Sequence, residues 1–132
     1  MDYLPLFFKL TDQNVLLVGG GNVALRKARL LCRAGAKVTV IAHHVCDELQ
    51  QLLDTSSGLS IIGEYHADLL EEKILVIAAT DNHSLNERVH FDAIDKNIPV
   101  NVVDSPKLCT FVFPAIVDRS PVVIGISSGG SA

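Results

Sequence analysis

Hydrophobic positions fall into short solid blocks separated by stretches where they recur every three or four residues. Val15-Leu16-Leu17-Val18 and Ile74-Leu75-Val76-Ile77-Ala78 are uninterrupted apolar runs, the pattern of strands buried on both faces. Similar blocks predict strands over 14–18, 37–42, 59–63, 74–79 and 99–103. Helical spacing predicts helices over 22–34, 45–54 and 83–97, with a poor short one near 67–72. Gly35 is a candidate C-cap for the first helix. Strands that alternate with helices make parallel βαβ units, so the expected fold is α/β. It is a Rossmann-like doubly wound sheet with helices on both faces. Beyond the fifth strand, Leu108 to Val117 and Pro121 to Ser127 read as two further β runs. The turn Asp118-Arg119-Ser120-Pro121 joins them into a hairpin expected at the sheet edge, and a Ser/Gly segment follows.

The glycine-rich turn after the first strand carries the first chemistry. Val18-Gly19-Gly20-Gly21-Asn22-Val23-Ala24 fits G-x-G-x-x-A, directly after a strand and opening a helix. Free backbone N–H groups and the helix dipole there favour a pyrophosphate. Gly19 permits the tight turn, Gly21 lets backbone approach the phosphates, and Ala24 keeps the helix close to the strand. The second strand ends in Ala42-His43-His44, without the acid or arginine that usually reads the ribose. His43 and His44 nevertheless fall where an adenosine ribose would pass. Thr80 and Asp81 follow the fourth strand, where the cofactor crevice is expected, and either cap the helix near His83 alone or cap it and also lie beside the ligand. Asp104, at the end of the fifth strand, is the best-placed carboxylate for a general base; its structural role would be a turn before Ser105-Pro106.

Composition narrows the remaining classes. The 132 residues suit one sizeable core, and a net charge of −4 without a dense basic cluster gives no attraction to nucleic acid. Apolar runs reach about six residues, far short of the roughly 20 of a membrane span. No basic stretch precedes an apolar one at the N-terminus, so the cytoplasm is the expected location. Cys32, Cys46 and Cys109 are odd in number and lie far apart, and Cys32 and Cys109 are expected to be buried reduced thiols. The histidines have no metal-ligand spacing, and no metal site is expected.

Taken together, VGGGNVALRKARLL, AATDN, NVVDSPK, FVFPAIVDRSP and SSGG resemble one family, and the opening Leu4-Pro5-Leu6-Phe7 fits it as well. The chain is similar to the N-terminal module of siroheme synthase, the precorrin-2 dehydrogenase and sirohydrochlorin ferrochelatase family. The bifunctional form, fused to a uroporphyrinogen-III methyltransferase, is the nearer match. The resemblance implies NAD-dependent oxidation of precorrin-2 to sirohydrochlorin, then insertion of ferrous iron to give siroheme. It places NAD contacts at Asn22, Val23, His43 and His44, the general base of both reactions at Asp104, and a serine near the tetrapyrrole at Ser128. Asn101 is a candidate substrate neighbour by proximity. It also implies an NAD-binding domain over 1–113 and, over 114–132, the start of a dimerisation and substrate region that forms a homodimer. The alternative is a non-catalytic Rossmann module that senses NAD and regulates a partner, for which Asp104 needs no basicity.

Overall fold

Five parallel strands are laid side by side in the order β3-β2-β1-β4-β5 in the computed structural model, which describes residues 1–129. They are β1 (Asn14–Val18), β2 (Lys37–Ala42), β3 (Leu59–Ile62), β4 (Leu75–Ala78) and β5 (Val100–Val102). Three helices connect them: α1 (Asn22–Arg33), α2 (Asp47–Asp54) and α3 (His83–Asp95). The order reverses between β1 and β4, the topological switch point of a doubly wound sheet.

Alternation along the strands divides the interior in two. Val15, Leu17, Val38, Val40 and Ile77 face α1 and α2, where Ala24, Ala28, Leu31, Leu49 and Leu53 are buried against them. Leu16, Val18, Val76, Val100 and Val102 point the other way, onto Val89 and Ala93 of α3 and onto Leu70. Both faces of β1 and β4 are covered, which is why their sequences are solidly apolar. The register places Ile61, Ile41, Val18, Ala78 and Val102 in one row across the sheet. The next residues all open at the same edge, so the site loops share one rim.

Helix α1 closes at Gly35, with its C-cap one residue earlier than the sequence suggested. Ala34 is the C-cap and Gly35 follows at φ 81°, while Gly35 N–H donates to Cys32 and Ala36 N–H to Leu31, a Schellman closure. Two elements differ from expectation in kind. The weak helix near 67–72 is a 3₁₀ turn over Ala67–Leu70, and the run from Leu108 is not one strand. It holds a 3₁₀ turn (Pro106–Leu108), an irregular stretch and a strand only at β6 (Ala115–Arg119), which pairs with β7 (Val122–Ile126).

The β6–β7 hairpin forms, but as a separate two-stranded sheet and not on the edge of the large one. The reason is local. The segment after the 3₁₀ turn already occupies the outer edge of β5, largely through side chains. Thr110 N–H donates to Val100 O (2.8 Å), its Oγ1 accepts from Val100 N–H (2.8 Å), and Cys109 Sγ accepts from Val102 N–H (3.2 Å). The hairpin is tied instead to the end of α1, where Arg33 Nη2 lies 3.0 Å from Asp118 Oδ2. Hydrogen bonds from Ser120, then from Arg33, hold the Asp118 carboxyl below its ordinary value of 3.8. A lowered carboxylate pKa stabilises the docked state at neutral pH, and that contribution disappears as pH falls through the folded value. Protection factors of the β6 and β7 amides, corrected for the intrinsic exchange rate at each pH, are therefore expected to fall below about pH 4, and Arg33→Ala should lower them at pH 7 by the part that the Arg33 contact supplies.

Candidate functional site

Three loops are packed against one another where β1 ends. Gly19 adopts φ 135°, and a Cβ there would run into the Ala79 carbonyl after β4. A Cβ on Gly20 would run into the His44 carbonyl after β2. Gly19 N–H donates to Ile41 O (3.0 Å), Cys46 N–H to Gly20 O (2.8 Å) and Ala79 N–H to Val18 O (2.8 Å). Gly20 is the residue of the turn that the sequence motif left without a role. Its neighbour Ala24 is fully buried beneath the turn, its Cβ 3.6 Å from where a Gly19 Cβ would stand. Any larger side chain at 24 would lift the helix from the strand.

Gly21 differs from its neighbours. A Cβ there meets nothing within 4 Å, because the position faces open space. It is the N-cap of α1, with no side-chain hydrogen bond to the helix and no acid in the first turn. The first N–H groups of α1 are left for an external acceptor, and the dipole favours an anion there. They open into a crevice of about 1030 Å³, roomy enough for a dinucleotide, with Gly19, Gly21, Asn22 and Val23 in its wall.

The other expected residues come to the same crevice. His43 and His44 line it after β2, Thr80 and Asp81 after β4, and Asp104 after β5. The cap of α3 corrects one expectation. Neither Thr80 nor Asp81 caps the helix; Asn82 does, its Oδ1 accepting from Leu85 N–H at 3.1 Å. Thr80 is engaged one turn further along, donating its hydroxyl to Asn86 Oδ1 (2.6 Å), while Asn86 Nδ2 donates to Thr80 O (3.0 Å). Asn86 is buried and fixes the loop that carries Thr80 and Asp81. It stands three and seven residues before Val89 and Ala93 on the inner face of α3, a polar residue in an apolar stripe, and that was its sequence signal.

A second group was missed beyond β3. Gly63, Glu64 and Tyr65 line the crevice, joined by Arg88 from α3. Tyr65 is buried, donates to Asp92 Oδ2 (2.8 Å) and lies under the Arg88 guanidinium, which also donates to Tyr65 O (2.8 Å). Burial, then the Asp92 contact, pushes the phenol pKa well up, so Tyr65 is a neutral wall rather than a base. Glu64 Oε1 stands 4.0 Å from His43 Nε2, both largely exposed. The rule that ligands collect beyond strand ends pointed here too, since Gly63 directly follows β3.

At the end of β5 the backbone of Asp104 takes φ 62°, a left-handed conformation that aspartate tolerates. Its exposed side chain borders the crevice on one side and a smaller pocket of about 200 Å³ on the other. Asn101 lines the smaller pocket and is buried, with Nδ2 donating to Phe111 O (3.1 Å). Cys109 closes the turn beneath them, its thiol within 3.2 Å of Val102 O and 3.4 Å of Ser105 O. Burial pushes the Cys109 thiol up, against the needs of a nucleophile. Ser128 lies outside this assembly, exposed after β7 and bordering neither cavity. Among the described residues no three His, Cys, Asp or Glu side chains group as metal ligands, and no helix is long and apolar enough to cross a membrane.

A family described as "Putative NAD(P)-binding" matches residues 6–115, the span that builds the sheet and the crevice. The chain belongs to this family. It is also 56% identical, over all 132 residues, to siroheme synthase of Psychrobacter cryohalolentis, and it covers 25% of that protein. Identity is 52% to the siroheme synthase of Saccharophagus degradans and 51% to that of Pseudomonas fluorescens, of which it covers 29% and 28%. The chain thus spans about a quarter of the length of these relatives, and its likeness to the siroheme synthase N-terminal module runs from end to end. Among solved structures, SirC, precorrin-2 dehydrogenase, superposes with a TM-score of 0.85 at 24% identity, covering 98% of this chain and 64% of that one. The D-lactate dehydrogenase of Escherichia coli gives 0.53 at 11% identity, over 72% of this chain and 29% of that one. These two likenesses are of fold.

The two neighbouring glycines make opposite predictions. Gly21→Asp has room and an allowed φ of −97°, and supplies a good N-cap, so stability should hold or rise by a few tenths of a kcal/mol. Its carboxylate would occupy the free N–H groups and repel a pyrophosphate, so calorimetry should find NAD binding lost in a folded protein. Gly20→Ala, by contrast, should cost about 3 kcal/mol in urea unfolding, because its methyl meets main chain that cannot move aside.

Proposed function

We propose that this chain performs the NAD-dependent oxidation of precorrin-2 to sirohydrochlorin and takes part in inserting ferrous iron to give siroheme, with Asp104 as the general base. The observation that carries this reading is the position of Asp104. It is the carboxylate that borders both the dinucleotide crevice and the adjoining pocket at β5. Support for the substrate class comes from the siroheme synthase relatives and from the name of the superposing dehydrogenase.

The chemistry asks little of the protein. NAD, when bound, supplies the hydride acceptor. The residues of the glycine turn hold the pyrophosphate, Thr80 and Asp81 border the crevice between the glycine turn and β5, and Asp104 takes the proton that leaves as the substrate loses a hydride. Iron is a substrate: two pyrrole N–H protons depart as Fe²⁺ enters, and Asp104 accepts them one at a time, releasing the first to water before it takes the second. The macrocycle provides the nitrogen ligands, so the reaction needs no cluster of His or Cys. Residues 1–113 then act as the cofactor-binding unit. Residues 114–132 begin a dimerisation and substrate region, with Asn101 and Ser128 on the substrate side of a cytoplasmic homodimer. The exposed apolar residues of the hairpin, Ile116, Val122, Ile124 and Ile126 among them, suit such a role.

Asp104→Asn in the protein as expressed from its gene tests the base directly. Asparagine retains the shape and tolerates the left-handed backbone but cannot take a proton. Both the spectral change of precorrin-2 oxidation and the rate of iron insertion should fall roughly 10²–10⁴-fold, with NAD affinity unchanged. Full activity of this variant would make Asp104 a structural turn residue and place the base elsewhere. Loss of only one activity would assign the other to a different group.

A further inference from the structure

Lys27 occupies a half-buried position on α1, between the half-buried Val23 and Leu30. It projects from α1 into the small pocket beside Asp104, half-buried, with its ammonium 4.5 Å from the centre of the Phe113 ring. Among the described residues no carboxylate lies within 4 Å of it, whereas Arg29 and Arg33 on the same helix both have acid partners at 3.0 Å. Burial and then the neighbouring Arg26 lower its pKa, opposed by Asp104 and Cys109. The protein thus holds a half-buried cation over an aromatic face, within the electrostatic reach of Asp104 but, among the described residues, in no close ion pair. An external carboxylate in the pocket would add the charge-assisted hydrogen bond that the ammonium lacks in this geometry. The pocket of about 200 Å³ admits a carboxylate side arm and excludes a macrocyclic ring.

We propose that Lys27 is a substrate-binding residue, whose ammonium receives one peripheral carboxylate of a polycarboxylate substrate in the pocket between α1 and β5. The inference rests on the reading of Asp104 as the base and adds what holds the substrate against it. One carboxylate on Lys27 and one reacting bond at Asp104 fix both a position and an orientation. The substrate then presents the same edge to Asp104 and to the dinucleotide crevice. Phe113 gives the ammonium a second face to rest on, which restricts its rotamers before the substrate arrives.

The test uses the protein as expressed from its gene, with sirohydrochlorin as the probe, titrated by its absorption change. Lys27→Met keeps the stem and the Phe113 contact while removing the charge. It should weaken sirohydrochlorin binding roughly 10- to 100-fold, the worth of a charge-assisted hydrogen bond, and raise KM for precorrin-2 far more than it lowers kcat. NAD affinity should be unchanged, and Lys27→Arg should restore most of the lost binding. Asp104→Asn, by contrast, should bind sirohydrochlorin within a few-fold of the parent and lose turnover. If Lys27→Met binds sirohydrochlorin as tightly as the parent, or loses NAD in step with it, Lys27 is a packing residue and the proposal fails. If Lys27→Met loses the probe while Asp104→Asn keeps full turnover, the anchor stands and the base reading fails.

Discussion

The structure depends on how closely three backbone segments approach at the end of β1. The Ala79 carbonyl lies where a Gly19 side chain would be, and the His44 carbonyl where a Gly20 side chain would be. The strands are joined in the same place by hydrogen bonds from Gly19, Cys46 and Ala79, and Val103 N–H continues the row to Ala78 O at 3.0 Å. Because the loops after β1, β2 and β4 touch, the crevice has a closed floor, and Gly21 alone of the three glycines looks outward. One steric condition therefore sets both the tightness of the sheet edge and the direction in which α1 presents its N–H groups.

Much of this was legible in the chain. Solid apolar runs announced the buried strands, and the glycine turn announced the first βα unit, because burial on two faces and a tight turn each demand particular residue types. Less visible was anything that depends on contacts between distant segments. Gly20 looks like a spare glycine until the loop after β2 is laid beside it. Thr80 and Asp81 carry residue types that cap helices, yet Asn82, also a good cap, lies one position nearer the helix start. The Tyr65, Arg88 and Asp92 group joins residues 23 and 27 apart, with no local signal in their spacing.

At Asp104 a local backbone device and the proposed chemistry fall on one residue. The left-handed turn lifts its carboxylate to the boundary of two cavities, where a regular continuation of β5 would have carried it onward along the strand. Aspartate and asparagine visit this conformation at small cost, so the turn itself does not demand a basic group. The shape of the turn and the acidity of the side chain are separable properties of one residue. The sequence context Val103-Asp104-Ser105-Pro106 could not distinguish them, since either property alone accounts for the residue type.

The covering of β5 by Cys109 and Thr110 has an effect on how the molecule meets others of its kind. A parallel sheet ordinarily has two bare rims, each offering unpaired N–H and C=O groups as a template for another chain. On this side the template is already answered by a thiol and a hydroxyl from the same polypeptide, which satisfy the rim without extending it. Growth of the sheet by added strands is thereby confined to β3, at the opposite end. The β5 rim beside Asp104 therefore offers a strand from another copy no unanswered groups at Val100 or at the Val102 N–H.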